Sequence, residues 1–185
     1  MLIKNDQQHF GLISILLHWL IALATFGLFG LGLWMTGLGY YDDWYQQAPD
    51  LHEGVGVIFF ILLLIRIVWR WANPPPKSLP TLKKWEKVSS HLAHGMLNFL
   101  LLVIAISGYL IITAKGGSLQ VFDLFSIPAS LSGFTNQEDF SGEIHLLAAW
   151  AVIGLAAIHT LAALKHHFFD KDATLRRILG LDKNR

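Results

Sequence analysis

Four long apolar runs decide what this chain can fold into. Residues 12–38, 52–72, 91–114 and 143–168 each offer a mainly apolar stretch of the ~20 residues a helix needs to cross a bilayer. Hydrocarbon gives the backbone no water to bond, so each run must close its hydrogen bonds internally as a helix. The expectation is an all-α membrane protein, a four-helix transmembrane bundle forming a single domain over residues 1–185. Composition agrees: 54% of residues are hydrophobic and 15% charged, against about a quarter charged in soluble domains. The first run is too long for a signal core and lacks a small-residue cleavage site after it, so it is expected to be retained. No repeat or nucleic-acid patch is expected.

Prolines, glycines and charges mark the ends of the runs. The second starts after Pro49 and stops before Pro74-Pro75-Pro76, which cannot continue a helix. The third starts beyond the charged segment 83–87 and ends at Gly116-Gly117. Of the 14 basic residues, only Lys115 lies in the connections 39–51 and 115–142. The rest are Lys4, Arg66, Arg70, Lys77, Lys83, Lys84, Lys87, Lys165, Lys171, Arg176, Arg177, Lys183 and Arg185. The positive-inside rule then places both termini and the triple-proline loop in the cytoplasm.

The chain has no cysteine and nine histidines. That excludes disulfides, thiolate zinc sites, iron–sulfur clusters and haem attached through Cys-x-x-Cys-His, and leaves histidine or carboxylate to hold any metal or cofactor. Once direction is fixed, each histidine acquires a depth. His52 opens the second helix at the outer face, and His145 lies near the outer end of the fourth. His18, His94 and His159 share the inner level. His145 and His159, 14 residues apart, are ~21 Å apart along a helix and about 40° apart in azimuth. No single ion can bind both. One intramembrane histidine is readily explained by a hydrogen bond or a proton path. Histidines facing each other at two matched depths suit two flat, six-coordinate metallo-macrocycles, which means two haems b. Depth alone does not choose between His18 and His94. Gly27, Gly30, Gly32, Gly54, Gly56 and Gly154 offer low-profile surface for a macrocycle or for ordinary helix packing.

The stretches "ISILLHWL", "LHEGVGV", "HLAHGML" and "IHLLAAWAVIGLAAIHTLAALKHHFFDKDATLRRI" resemble the bacterial cytochrome b561 family of four-helix dihaem membrane proteins, over nearly the whole chain. The resemblance implies His18 and His159 as ligands of an inner haem and His52 and His145 as ligands of an outer one. It leaves His94 a neighbouring or haem-propionate role. It also implies a bacterial inner-membrane electron carrier linking an outer-face donor, such as a periplasmic protein, to ubiquinone or a similar quinone at the inner face. The alternatives are a haem-bearing anchor subunit for a dedicated redox partner, a superoxide:quinone oxidoreductase, or a histidine-lined transporter without haem.

The remaining features refine that expectation. His166, seven residues after His159, lies about 20° off the same face, and the resemblance associates this position with the quinone pocket. A histidine there is a suitable proton donor to a quinone. Arg66 and Arg70 share a face at i, i+4 and suit haem propionates, a quinone head group or lipid phosphates. Trp34, Trp44, Trp69, Trp71 and Trp85 read as an aromatic belt. Segment 118–134 reads as interfacial, over the outer haem edge or open to a partner. The outer connections and adjoining helix ends carry Asp42, Asp43, Asp50, Glu53, Asp123, Glu138, Asp139 and Glu143 against Lys115 alone, a charge that repels small anions and suits a cationic or neutral donor.

Overall fold

The structure, a computed structural model, describes residues 2–122 and 124–181. Met1, Asp123 and residues 182–185 lie outside them, and so do Asp123, Lys183 and Arg185 of the charges named from sequence. The protein is mostly helical. Helices α1 (Leu12–Met35), α2 (Gln47–Ala72), α3 (Lys84–Thr113) and α4 (Gln137–Phe168) are joined by a hairpin of β1 (Leu119–Val121) and β2 (Phe125–Ile127), and short α5 (Thr174–Ile178) follows. All four long helices are long and apolar enough to cross a membrane. Their outward positions carry Leu23, Val68, Leu147 and Leu161, all more than 60% exposed, which lipid accommodates and water does not.

Helices α2, α3 and α4 start ahead of their apolar spans because polar residues can form the first turn of a helix, whereas α1 stops at Met35, short of the expected end at 38. Helix α2 begins at Gln47, so Pro49 stands inside its first turn, where a missing N–H costs nothing. Helix α3 begins within the charged segment, where the Glu86 carboxylate accepts the Lys83 backbone N–H at 2.8 Å. At the start of α4, the Gln137 side-chain amide donates to the Leu110 and Leu131 carbonyls at 3.0 and 3.2 Å. Gly116 adopts φ +79° just past α3 and donates its N–H to the Thr113 carbonyl, a left-handed helix ending that suits glycine.

The chain divides into two compact units. The terminal unit comprises Met1–Ala22, Leu62–Asn98 and Ile153–Arg185; the hairpin unit comprises Leu23–Ile61 and Phe99–Val152. In the terminal unit Ile15, Leu17, Ile21 and Leu63 form the buried apolar centre. Its polar rim is stitched by backbone. Asn5 donates its side-chain amide to the Asn73 and Pro74 carbonyls and accepts from the Gly11 N–H. Arg177 donates to the Lys77 carbonyl at 3.0 Å, and the Trp19 indole to the Ile178 carbonyl at 3.1 Å. The N-terminal segment, the triple-proline loop and α5 are thereby tied together.

In the hairpin unit Phe59, Leu101, Leu119, Val121, Ala148 and Val152 are buried. Segment 118–134 contains the antiparallel hairpin, with Leu119 opposite Ile127. Three-residue strands are too short for their alternation to be recognised in sequence. The Tyr109 hydroxyl ties the returning chain to α3, donating to the Pro128 carbonyl and accepting from the Ser130 N–H. Phe122, at φ +48°, lays its ring on α2. A Cβ built on Gly54 would lie 2.7 Å from that ring.

Candidate cofactor sites

In the hairpin unit α2 and α4 bring His52 and His145 together, with ring centres 6.1 Å apart and planes at 66°. Two imidazole nitrogens bound to one metal at ~2 Å each put their ring centres about 6 Å apart, so this spacing suits one iron held between the two rings. Helix α3 fixes one partner: the His145 Nδ1–H donates to the Ile104 carbonyl at 2.9 Å, with the Ser107 hydroxyl 3.3 Å away. A backbone acceptor on Nδ1 sets the tautomer and leaves Nε2 as the ligating atom. His52 Nδ1 is buried without a hydrogen-bond partner among the described residues.

Two glycines make room for these imidazoles. A Cβ on Gly32 would come within 3.3 Å of His52 Cε1, and one on Gly108 within 3.2 Å of His145 Cε1. Gly32 therefore clears a histidine ring, where the sequence suggested macrocycle surface or ordinary helix packing. Gly27, Gly30, Gly56 and Gly154 face open space. Gly108, Ser107 and the Ile104 carbonyl were missed from sequence. The only signal was a serine and a glycine side by side within an apolar run.

The terminal unit is built differently. A cavity of about 750 Å³ gathers His18, His94, His159, Arg66, Arg70 and His166, within the ~300–1,000 Å³ typical of small-molecule sites. His94 and His159 stand edge to face with ring centres 5.0 Å apart, and His18 stands edge to face with Trp19 at 5.3 Å. Trp69, which the sequence assigned to the aromatic belt, lines this cavity and donates its indole N–H to the Ser14 hydroxyl at 3.0 Å. Trp71 and Trp85 are exposed at 81% and 63%.

At one side of the cavity the last turn of α4 meets α3. The Lys165 ammonium bridges Glu86 at 3.0 Å and Asp170 at 2.7 Å, and His166 Nδ1 lies 2.7 Å from Asp170 and 3.3 Å from Asp172. The Lys165 ammonium holds the Asp170 carboxyl below the usual carboxylate range. Glu86, His166 and Asp170 offer ligand atoms within 4.8 Å of one another, but Lys165 already supplies the positive charge a metal would bring. On the hairpin unit, Lys115 pairs with Glu138 at 2.7 Å, and that carboxylate raises the lysine pKa.

Facing histidines on membrane-length helices, in a chain without cysteine, define a multi-pass membrane protein whose candidate cofactor ligands are histidines. The family model for prokaryotic cytochrome b561 matches residues 9–181. The chain is 46% identical over 176 residues to cytochrome b561 homolog 2 of Escherichia coli (strain K12), covering 95% of this chain and 94% of that protein. It is 26% identical over 175 residues to the probable superoxide oxidase CybB of Yersinia pestis, covering 94% and 97%. It is 28% identical over 181 residues to cytochrome b562 of Cereibacter sphaeroides, covering 95% and 98%. The chain belongs to the prokaryotic cytochrome b561 family. Membership makes it a membrane electron-transfer protein that works with b-type haem.

Proposed function

We propose that this protein binds two b-type haems, one in each unit, and passes electrons from a donor at the hairpin-unit loops to a quinone in the terminal-unit cavity. His52 and His145 would hold one haem; His18 and His159 would hold the other. Each bound haem supplies a one-electron iron couple set by its two imidazoles. The chain's own residues orient and exchange. The Ile104 carbonyl aims the His145 ring, and Gly32 and Gly108 leave room for the two imidazoles. Arg66 and Arg70 offer guanidinium donors to propionate or quinone oxygens, His94 packs against His159 as its neighbour, and His166 gives the proton that quinone reduction consumes. The basic-residue distribution supports a bacterial inner-membrane protein with both termini in the cytoplasm.

The His52–His145 pair, at a spacing that suits shared ligation and with one ring aimed by backbone, carries this reading. A redox-titrated visible spectrum with haem counted per chain tests it. Two low-spin b-type haems with separate midpoints are expected; one haem per chain would overturn the two-site assignment.

For the donor, the acidic loops favour a cationic protein or a neutral lipid-soluble molecule. Lys115, the single basic residue assigned to that face, is taken up by Glu138. The likeness to the probable superoxide oxidase supports superoxide as the second reading, although an anion approaches such a face against repulsion.

A further inference from the structure

The end of α4 holds more than a proton-donating histidine needs for simple exposure to water. Lys171, at φ +54°, turns the chain so that Asp170 and Asp172, on either side of it, both face back to His166. Backbone bonds fix this turn: the Asp170 N–H donates to the Lys165 carbonyl and the Asp172 N–H to the His166 carbonyl. Asp172 is nearly inaccessible, its side chain 4% exposed; Oδ1 accepts the Thr174 N–H at 2.8 Å while Oδ2 faces His166. Asp170, 34% exposed, reaches the surface. From α3, Glu86 holds Lys165, and Lys165 holds Asp170. An ionised carboxylate only accepts. Neither contact has hydrogen-bond geometry, but carboxylate oxygens at 2.7 and 3.3 Å repel a nitrogen lone pair, so the ring nitrogen that faces them is the one that keeps its proton.

We infer that Asp170 and Asp172 hold His166 in the Nδ1–H tautomer, so that Nε2 is the atom that delivers a proton into the cavity. This rests on the reading of that cavity as a quinone site. A carboxylate that fixes the tautomer and orientation of an imidazole lets its other nitrogen serve as the acid. In each turnover two electrons arrive through the protein's redox path and two protons through His166. For each proton the Nε2–H bond of the imidazolium breaks, an O–H bond forms on a quinone oxygen, and the ring becomes neutral with its hydrogen kept on Nδ1. Hydronium from the cytoplasmic water beside Asp170 then restores Nε2–H. Asp170 and Asp172 are positioning residues, and His166 is the catalytic one.

Nitrogen-15 NMR of histidine-labelled protein with its haems reduced reads the tautomer directly, and His166→Gln assigns the signal. At a pH where the ring is neutral, His166 should show a protonated Nδ1 and a bare Nε2. The double variant Asp170→Asn/Asp172→Asn should lose that preference. With ubiquinone-1 as acceptor, its kcat should fall about 10²-fold, the scale of one general acid, while KM and the haem spectrum hold. Asp172→Asn alone, which keeps the Oδ1 acceptor for Thr174, guards against misfolding and should show a smaller loss in kcat. A proton on Nε2 in the unaltered protein, or an unchanged tautomer in the double variant, would overturn the inference. A protein with the Nδ1–H ring that fails to reduce ubiquinone-1 would instead defeat the quinone reading and with it the delivery step.

Discussion

The hairpin unit and the terminal unit use the same side chain to opposite ends. In the hairpin unit two imidazoles face each other at 6.1 Å, one anchored to a backbone carbonyl and both bordered by glycines. Among the described residues, no ion pair involves either ring. In the terminal unit His18, His94, His159 and His166 line a cavity of about 750 Å³ together with Arg66 and Arg70, with an ion-paired cluster at its side. The first arrangement suits holding a cofactor. The second suits holding one and exchanging protons or substrate beside it. Arginine and histidine around open volume invite a polar ligand.

The largest expected effect divides the units outright. His52→Ala or His145→Ala should remove the hairpin-unit haem and spare the other, because the units share no ligand; pyridine haemochrome analysis should fall from two haems per chain to one. Loss of both haems in either variant would mean that the terminal unit depends on the hairpin unit. Next, His18→Ala should abolish low-spin ligation in the terminal unit, whereas His94→Ala should keep the spectrum and move the midpoint. The reverse outcome would make His94, already in ring contact with His159, the ligand.

A third test concerns the donor face. Asp42→Lys with Asp43→Lys should speed haem reduction by superoxide about tenfold at low ionic strength and slow a cationic donor, both effects fading as salt screens them. Stopped-flow reduction across a salt series measures this. Near-diffusion-limited reduction of the unaltered protein by superoxide would show that these carboxylates lie away from the route of electron entry. The smallest effect should come from Gly108→Ala, whose methyl would crowd His145 Cε1 at 3.2 Å. Disturbing the Ile104 hydrogen bond is worth ~1 kcal/mol, so the hairpin-unit midpoint should move by ~40 mV while the terminal-unit midpoint stays put.

Depth along a helix follows from counting residues, which is why His52 and His145 were separable from His18, His94 and His159 before any fold was known. What a ring touches does not follow from counting. Ile104 and His145 are 41 residues apart, and only the packing of α3 against α4 makes them partners. Lys171 has no feature that announces a left-handed backbone, yet that conformation brings Asp170 and Asp172 to one imidazole. Helix ends were blurred for a simpler reason. Hydropathy reports where lipid ends, whereas Pro49, Glu86 and Gln137 show that hydrogen bonding and backbone preference carry helices further.

The contact between Gly54 and Phe122 offers an experimental handle on the hairpin. Any side chain at Gly54 would meet the Phe122 ring within 3 Å, so the ring, or the turn residue that bears it, has to swing aside. Gly54→Ala therefore displaces the Phe122 ring without altering an ionisable group or a histidine. Deuterium uptake at the start of α2 would then report how far that small lid shields the His52 end from water.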